Sequence, residues 1–201
     1  MKRRDLIRLS IATAAAGGLA PTAVQAQQPG ATGGMPASPT AGKPADPEPQ
    51  VNDIEKFPKC NYCGMDRNRF HHSRMLVHYS DDMADAACSL RCTATSLAVN
   101  VGRGTKAIWV GDNASTAEVK PLADAEKATF LVGSAIRGVM TRRSKVAYSS
   151  VEAAEAARVA KGGELLDFDK ALLAAYTDIA EAVTMSRKNR EERLKRTMQQ
   201  K

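Results

Sequence analysis

The chain is poor in several features that define common classes of protein. Its 201 residues include four Phe, four Tyr and one Trp, so the core must be aliphatic, built mainly from Ala, Val, Leu and Met. Four cysteines are too few for a scaffold held together by disulfides. Beyond the N-terminal segment, no apolar run reaches the roughly 18 residues that a membrane-spanning helix needs. These shortages favour one aliphatic-core domain of ordinary size.

Positive charge is present in excess but is unevenly distributed. The formal net charge is +7, which by itself would favour a phosphate-rich partner. However, residues 1–26 carry +3 and residues 186–201 carry +5, so the body between them is nearly neutral. A globular nucleic-acid-binding domain is therefore not supported. For the basic C-terminal tail, 183–201, we expect a solvated helical end, with an electrostatic contact to anionic lipid or an acidic partner as the alternative.

Residues 1–26 have the pattern of an export signal. A basic start with the pair Arg3-Arg4 precedes a weakly apolar run, Ile11–Ala20, and small residues end the segment at Ala26. This order is typical of a signal peptide, and the arginine pair resembles a twin-arginine signal. The alternative is an amphipathic first helix. We expect cleavage after Ala26 and a soluble periplasmic protein, in a compartment that permits disulfides.

The remaining chain divides by composition. Residues 27–54 are rich in Gln, Gly, Pro, Ala and Ser and predict a flexible linker, with order beginning near Phe57 in a domain over 55–182. Periodicity predicts strands over 74–79, 106–111, 129–133, 145–149 and 164–168, helices over 82–99, 151–161 and from 169 into the tail, and a short helical turn at 123–127. Ser149 and Glu152 form a capping-box pattern before the second helix. We expect an α+β fold, in which two small sheet-plus-helix halves could be a diverged repeat within one compact unit.

The segment from Cys60 to Met65 is the most informative part of the sequence. Cys60 and Cys63 are three residues apart, so a turn can direct both sulfurs toward one ion, and Gly64 lets the backbone fold close behind them. Met65 adds a thioether, and thiolate with thioether suits Cu(I), whereas zinc rarely takes a methionine ligand. A disulfide or redox motif is the alternative for this pair.

Cys88 and Cys92 form a second pair. At positions i and i+4 they would lie on one face of the predicted helix, from which two sulfurs can face a metal or the Cys60/Cys63 loop. The alternatives are packed helix residues, a structural disulfide or a zinc knuckle, although the i+4 spacing is unusual for the last.

The remaining candidate donors are weaker. His71 and His72 follow Met65 and can be copper ligands or an ordinary surface pair, while His78 has the spacing of a partly buried strand residue. Met75 and Met83 are expected in the core. We find no Ser/His/Asp order, phosphate-cradling glycine loop or carboxylate pair that indicates catalysis.

The order of these motifs resembles that of the nitrous oxide reductase accessory protein family, NosL. The resemblance covers about residues 60–180. It rests on the Cys60–Met65 motif, the strand 74–79 and the Cys-bearing helix, followed by blocks at 108–112, 128–134, 138–141, 145–148 and 161–163.

The resemblance implies a periplasmic metallochaperone without catalytic turnover. It would bind Cu(I) and supply it to nitrous oxide reductase, beside a membrane transporter complex. By motif, the first expected ligands are Cys63, Met65 and the more distant Met140; Cys60 and Cys88 come next, then Cys92. The resemblance also implies two related ββαβ-type halves.

The chain departs from the family pattern in three ways. Many members are lipoproteins, whereas no cysteine lies near Ala26 here. The usual Gly-Pro-Met-Gly block reads Gly138-Val139-Met140-Thr141, and the second cysteine pair is not general to the family. Two hypotheses therefore stay beside copper delivery to that client: soft-metal handling for another client, and a periplasmic thiol–disulfide oxidoreductase using Cys60 and Cys63. A protein whose cysteines form structural disulfides is a further alternative.

Overall fold

The computed structural model describes residues 44–200. In chain order, the first half contains a short helix α1 (Asp53–Lys56), strands β1 (Met75–Tyr79) and β2 (Ala84–Ala87), helix α2 (Leu90–Val99), and strands β3 (Thr105–Gly111) and β4 (Leu122–Asp124). The strands form one antiparallel sheet in the order β2-β1-β3-β4. Helix α2 follows β2 and precedes β3, so it makes the connection across the sheet.

The second half repeats this arrangement. Strands β5 (Thr129–Val132) and β6 (Lys145–Tyr148), helix α3 (Val151–Lys161) and strand β7 (Glu164–Leu166) are followed by the long helix α4 (Phe168–Gln199). The second sheet has the antiparallel order β6-β5-β7. Each half is thus a ββαβ unit in which its first strand lies between the second and the third. The expected α+β fold with two related halves is confirmed.

The two halves share one core and are joined at the ends of β3 and β6. The backbone N–H of Asn113 donates to the carbonyl of Ala147 at 2.9 Å, and Ser149 Oγ donates to Asp112 Oδ2 at 2.6 Å. Helix α4 closes the core from the other side, because Tyr176 donates to the carbonyl of Ala94 on α2 at 3.0 Å. The shared core has the aliphatic character that the composition predicts.

Two predicted elements are wrong. The helix expected from residue 82 begins only at Leu90, since Ala84–Ala87 form strand β2, which pairs with Met75–His78 of β1. The ladder bonds and the burial of Asp85 override the helix propensity of these alanines. The helical turn expected at 123–127 is wrong in its first two residues, which belong to strand β4 and pair with Trp109 and Val110 of β3, whereas residues 125–127 form a turn.

The cap of α3 also differs from the expectation. Ser150, not Ser149, is the N-cap, and its Oγ accepts from the N–H of Ala153 at 3.2 Å. The other predicted strands and helices agree with the structure within one to three residues at their ends.

The folded part begins earlier than residue 55. The N–H of Asp46 donates to the carbonyl of Asp82 at 2.8 Å, and Asp53 is 5% exposed. The linker expected over 27–54 therefore includes residues that belong to the domain, because the carboxylate of Asp53 is needed inside it. The N-terminal signal prediction lies outside the described residues.

Within residues 44–200, no helix combines the length and the apolar character needed to cross a membrane. Helix α4 is 32 residues long, but its last two thirds are highly polar and exposed. The predicted continuation of this helix into the basic tail agrees with the structure.

Candidate metal centre

The first half of the domain contains a cluster of four sulfurs. The Sγ atoms of the four cysteines, Cys60, Cys63, Cys88 and Cys92, all lie within 4.8 Å of one another. The Cys63–Cys88 distance is 3.4 Å, Cys63–Cys92 is 3.8 Å and Cys88–Cys92 is 3.9 Å. All four are free thiols. Ligands at about 2.3 Å from one tetrahedral ion are about 3.8 Å apart, so this cysteine cluster has the dimensions of a single metal site.

The loop that carries Cys60 and Cys63 is closed by its own backbone. The N–H of Cys60 donates to the carbonyl of Met65 at 2.8 Å, and the N–H of Gly64 donates to the carbonyl of Cys60 at 2.9 Å. Gly64 has a φ of 72°, which favours glycine there. Asn61 attaches the loop to β2, since its Oδ1 accepts from the N–H of Ala86 at 2.7 Å.

The second cysteine pair lies where the chain leaves β2 and enters α2. Cys88 precedes the N-cap residue Ser89, and Cys92 lies in the first helical turn, so the predicted i, i+4 helical face is not the reason that they meet. Ser73 Oγ donates to the carbonyl of Cys88 at 2.8 Å and fixes this passage. The sulfurs nevertheless face each other and the Cys60/Cys63 loop, as the spacing predicts.

The cluster favours one shared negative charge. Hydrogen bonds from the thiols of Cys88 and Cys92 lower the pKa of Cys60 far below its ordinary value. The same contacts with Cys60, together with burial, raise the pKa of Cys88 and of Cys92. The nearby N-terminus of α2 further favours an anion. A soft cation would therefore find the thiolate of Cys60 favoured and would displace the protons of Cys88 and Cys92.

Exposure distinguishes Cys63 from the other three. Cys60, Cys88 and Cys92 are 3%, 0% and 2% exposed, whereas Cys63 is partly exposed. An incoming metal or ligand thus reaches the cluster at Cys63.

The two candidate methionines come from different parts of the chain and line one cavity. Met65 and Met140 line a cavity of about 470 Å³ that also includes His72 and Arg137. Met65 packs on the same core as the buried cysteines. In the described part of the chain, the cysteines do not line this Met65–Met140 cavity.

The loop that presents Met140 is tightly constrained. Met140 has a φ of 57° and is 41% exposed. A Cβ at Gly138 would lie 2.3 Å from the carbonyl oxygen of Thr141, so only glycine fits this turn. Thr141 donates to Asp178 Oδ2 of α4 at 2.6 Å, and Arg143 Nε donates to its Oδ1 at 2.7 Å.

The three histidines have different surroundings. His72 lines the Met65–Met140 cavity, and its pKa is lowered by burial, which leaves a neutral imidazole available as a donor. His71 Nδ1 accepts from the N–H of Lys120 at 3.2 Å. His78 is buried, stacks on Trp109 and bonds to Asp82 at 3.0 Å, in agreement with the structural role expected for it.

A buried charge network supports the cysteine loop and was missed from the sequence. Arg67 is 0% exposed; it donates to Asp53 Oδ2 at 2.8 Å and to the carbonyl of Ala87, next to Cys88, at 3.2 Å. Arg74 Nε and Nη2 also donate to the Asp53 carboxylate, at 2.9 and 3.0 Å. No local pattern identifies such a network, because its members are 7 to 34 residues apart.

Comparison with known proteins gives consistent results. The model of the NosL family matches residues 50–175. The crystal structure of the copper chaperone NosL from Shewanella denitrificans is 26% identical, with 55% of this chain and 87% of that chain covered and a TM-score of 0.47. The solution structure of the apo-NosL protein from Achromobacter cycloclastes is 23% identical, with 47% and 82% covered and a TM-score of 0.35. No curated protein matches the chain. Since the family model covers well over half of its length, the chain belongs to the NosL family.

Proposed function

We propose that this protein is a Cu(I)-binding metallochaperone. The observation that carries the proposal is the convergence of four free thiols beside a cavity lined by two thioethers and an imidazole. Soft sulfur donors select Cu(I), and the family to which the chain belongs includes the copper chaperone of Shewanella denitrificans. The ligands that we propose are, in order, Cys63, Met65 and Met140, then Cys60, Cys88 and Cys92.

Ligand exchange would move the ion without any change in oxidation state. Cu(I) is held by thiolates of the cysteine cluster and leaves at Cys63, the one partly exposed sulfur. A thioether lone pair from Met65 or Met140 forms a bond to the ion as a thiolate bond breaks. A donor of the acceptor protein then replaces the thioether. Because each step adds one ligand and releases another, the bare ion never enters solution.

Competition with a chromogenic Cu(I) chelator tests the ligand set. Starting from reduced protein, we expect Cys63→Ser to lower Cu(I) affinity by about tenfold or more, equivalent to about 1.4 kcal/mol or more. Met65→Leu and Met140→Leu should weaken it to a smaller extent. Met198→Leu is the matched control, since that methionine is 78% exposed near the end of α4. Unchanged affinity in Cys63→Ser would overturn the proposal.

The geometry of the cysteine cluster also suits Zn(II), which is bound by four thiolates in structural sites. The metal is therefore identified directly, by elemental analysis and thiol counting on protein purified without oxygen. A stoichiometric content of zinc that Cu(I) does not displace would favour a structural zinc site over copper delivery.

The oxidoreductase hypothesis needs a reactive Cys60/Cys63 pair. It predicts catalysis of insulin disulfide reduction, and the loss of that activity in Cys63→Ser. Against it, Cys60 is nearly inaccessible, and the close contact of 3.4 Å joins Cys63 to Cys88. Catalytic turnover in the insulin assay would favour an oxidoreductase over the proposed metallochaperone.

As client we propose nitrous oxide reductase, with a membrane transporter complex as a partner, on the basis of family membership. The test mixes copper-loaded protein with the copper-free reductase and measures both copper transfer and nitrous oxide reduction. Transfer that is no faster than from a chelator–copper complex would argue for another client.

We also propose that the protein works in the periplasm after twin-arginine export. Changing Arg3 and Arg4 to Lys keeps the charge but removes the arginine pair. The precursor should then accumulate in the cytoplasm, as measured by fractionation. Normal export of this variant would contradict the twin-arginine route.

A further inference from the structure

A second cavity adjoins the Met65–Met140 cavity and shares Met140 with it. This Met140 groove, of about 620 Å³, lies between the loop that carries Met140 and the outer part of α4. Its apolar floor includes Met140 and Met185, which are 41% and 47% exposed. Methionine side chains adapt to varied partners and are common on binding surfaces. A candidate copper ligand thus borders two cavities, one that also contains Met65 and one along α4.

Several arginines around the two cavities carry a positive charge that no ion pair among the described residues neutralises. In the described part of the chain, no ion-pair partner lies within reach of Arg91 or Arg142 in the groove, or of Arg137 in the neighbouring cavity. The groove acid Asp178 is already bound by Arg143 and Lys145. Glu181 adds one further negative charge.

The tail of α4 continues this basic surface. From Glu181 to Gln200 every residue of the helix is exposed, over a length of about 30 Å. Residues 186–200 hold six basic and two acidic side chains, and the ion pair between Arg196 and Glu192 spans 3.9 Å. The groove and the tail together form a positive surface with an apolar floor.

We propose that this surface docks an acidic polypeptide segment of the copper acceptor. This inference rests on the proposed function, and it assigns the groove side of Met140 to the acceptor. The positive charge of this surface is complementary to an acidic segment. A protein segment is favoured over a lipid surface because an interfacial helix needs a continuous apolar face, whereas after residue 186 the helix offers only Leu194 and Met198 as large apolar residues. Docking there brings the donors of the acceptor to Met140, while Cys60, Cys88 and Cys92 stay buried.

The test uses the full-length chain and a synthetic peptide of ten acidic residues with a central methionine. The metal-free, reduced protein carries ¹³C-labelled methionine methyl groups. We expect the peptide to shift the methyl signals of Met140 and Met185, and to leave that of the fully buried Met75 unchanged. Raising the salt concentration should weaken binding.

Charge reversal makes the test specific. We expect the double change Arg91→Glu and Arg142→Glu to raise the peptide Kd by about tenfold or more, the equivalent of about 1.4 kcal/mol. Changing Lys127 and Lys161 to Glu alters the net charge equally at two exposed positions on other elements and should change the Kd little. Retained circular dichroism shows that each variant folds.

Three results would overturn the docking proposal: no peptide binding, equal weakening by both double variants, or binding to phosphatidylglycerol vesicles in place of the peptide. Because the peptide is tested on metal-free protein, these outcomes do not depend on copper binding. If the protein binds copper but not the peptide, only the docking proposal fails. If it binds the peptide but not copper, the proposed function fails.

Discussion

The substitution Asp53→Asn tests how the cysteine loop is held. The Asp53 carboxylate faces two buried guanidinium groups, and the side chain of Arg67 makes five hydrogen bonds in all, to Asp53, Phe57, Met75 and Ala87. Burial lowers the pKa of Arg67, and the charge of Asp53 opposes this effect. Asparagine keeps the size of the side chain but removes the charge that compensates both arginines.

Breaking a buried ion pair from one side costs about 3–5 kcal/mol, because the remaining charge is left without compensation. Domains of this kind have a stability of about 5–15 kcal/mol. With a urea dependence of about 2 kcal/mol per M, a loss of about 4 kcal/mol lowers the urea midpoint by about 2 M. Equilibrium unfolding followed by circular dichroism measures this shift.

Asp66→Asn is the matched control in the same loop. Its partner Lys59 is 2.9 Å away, but the two side chains are 42% and 60% exposed, so solvent screens the pair and its loss should change the urea midpoint little. If Asp53→Asn proves no more costly than this control, the reasoning that assigns the support of the loop to a buried charge is refuted.

Three further substitutions probe other parts of the fold. Gly138→Ala should cost about 1–3 kcal/mol in urea unfolding, because its Cβ would overlap the carbonyl oxygen of Thr141, whereas Gly102→Ala, with open space around it, should be nearly neutral. Burial alone would raise the pKa of Asp178, but hydrogen bonds from Lys and Arg lower it overall. The wild type should therefore have a higher free energy of unfolding than Asp178→Asn, and this difference should be complete above the ordinary carboxyl pKa and should decrease as pH falls through the lowered pKa. Urea midpoints measured between pH 7 and 2 test this, and a difference that does not change with pH would contradict it. Ser150→Ala removes the N-cap of α3 and should lower the free energy of unfolding in urea by about 1 kcal/mol. An unchanged stability would mean that Ser150 does not cap the helix.

The sequence predicts the architecture well where local pattern decides it. Alternating side chains locate β1, and the double glycine after Lys161 marks the end of α3. The strand Ala84–Ala87 escapes this reasoning, since alanine favours helix and only pairing with β1 makes it extended. Its buried Asp85 is held by Tyr62, Ser96 and Asn100, which are remote in sequence.

The candidate site is predicted in its parts but not in its arrangement. Spacing identifies two cysteine pairs, and the resemblance identifies Met140. That the pairs converge within 4.8 Å depends on how the Cys60/Cys63 loop folds onto β2 and α2 within the first half. That Met140 shares a cavity with Met65 depends on how the two halves pack. The predicted role of these residues as ligands awaits the copper experiments. Arginines without an ion-pair partner among residues 44–200, such as Arg137, have no sequence signature, because pairing is decided by neighbours in space.

The repeated ββαβ unit has a consequence for the evolution of the protein. All four cysteines, with Met65 and His72, belong to the first unit, whereas Met140 and the arginine next to its glycine belong to the second. If the units descend from a duplicated ancestor and the proposed ligands are correct, one copy specialised in holding the metal ion and the other in its exit. Mutations in the second copy can then change the rate at which the metal ion is released without changing the affinity of the first copy for it.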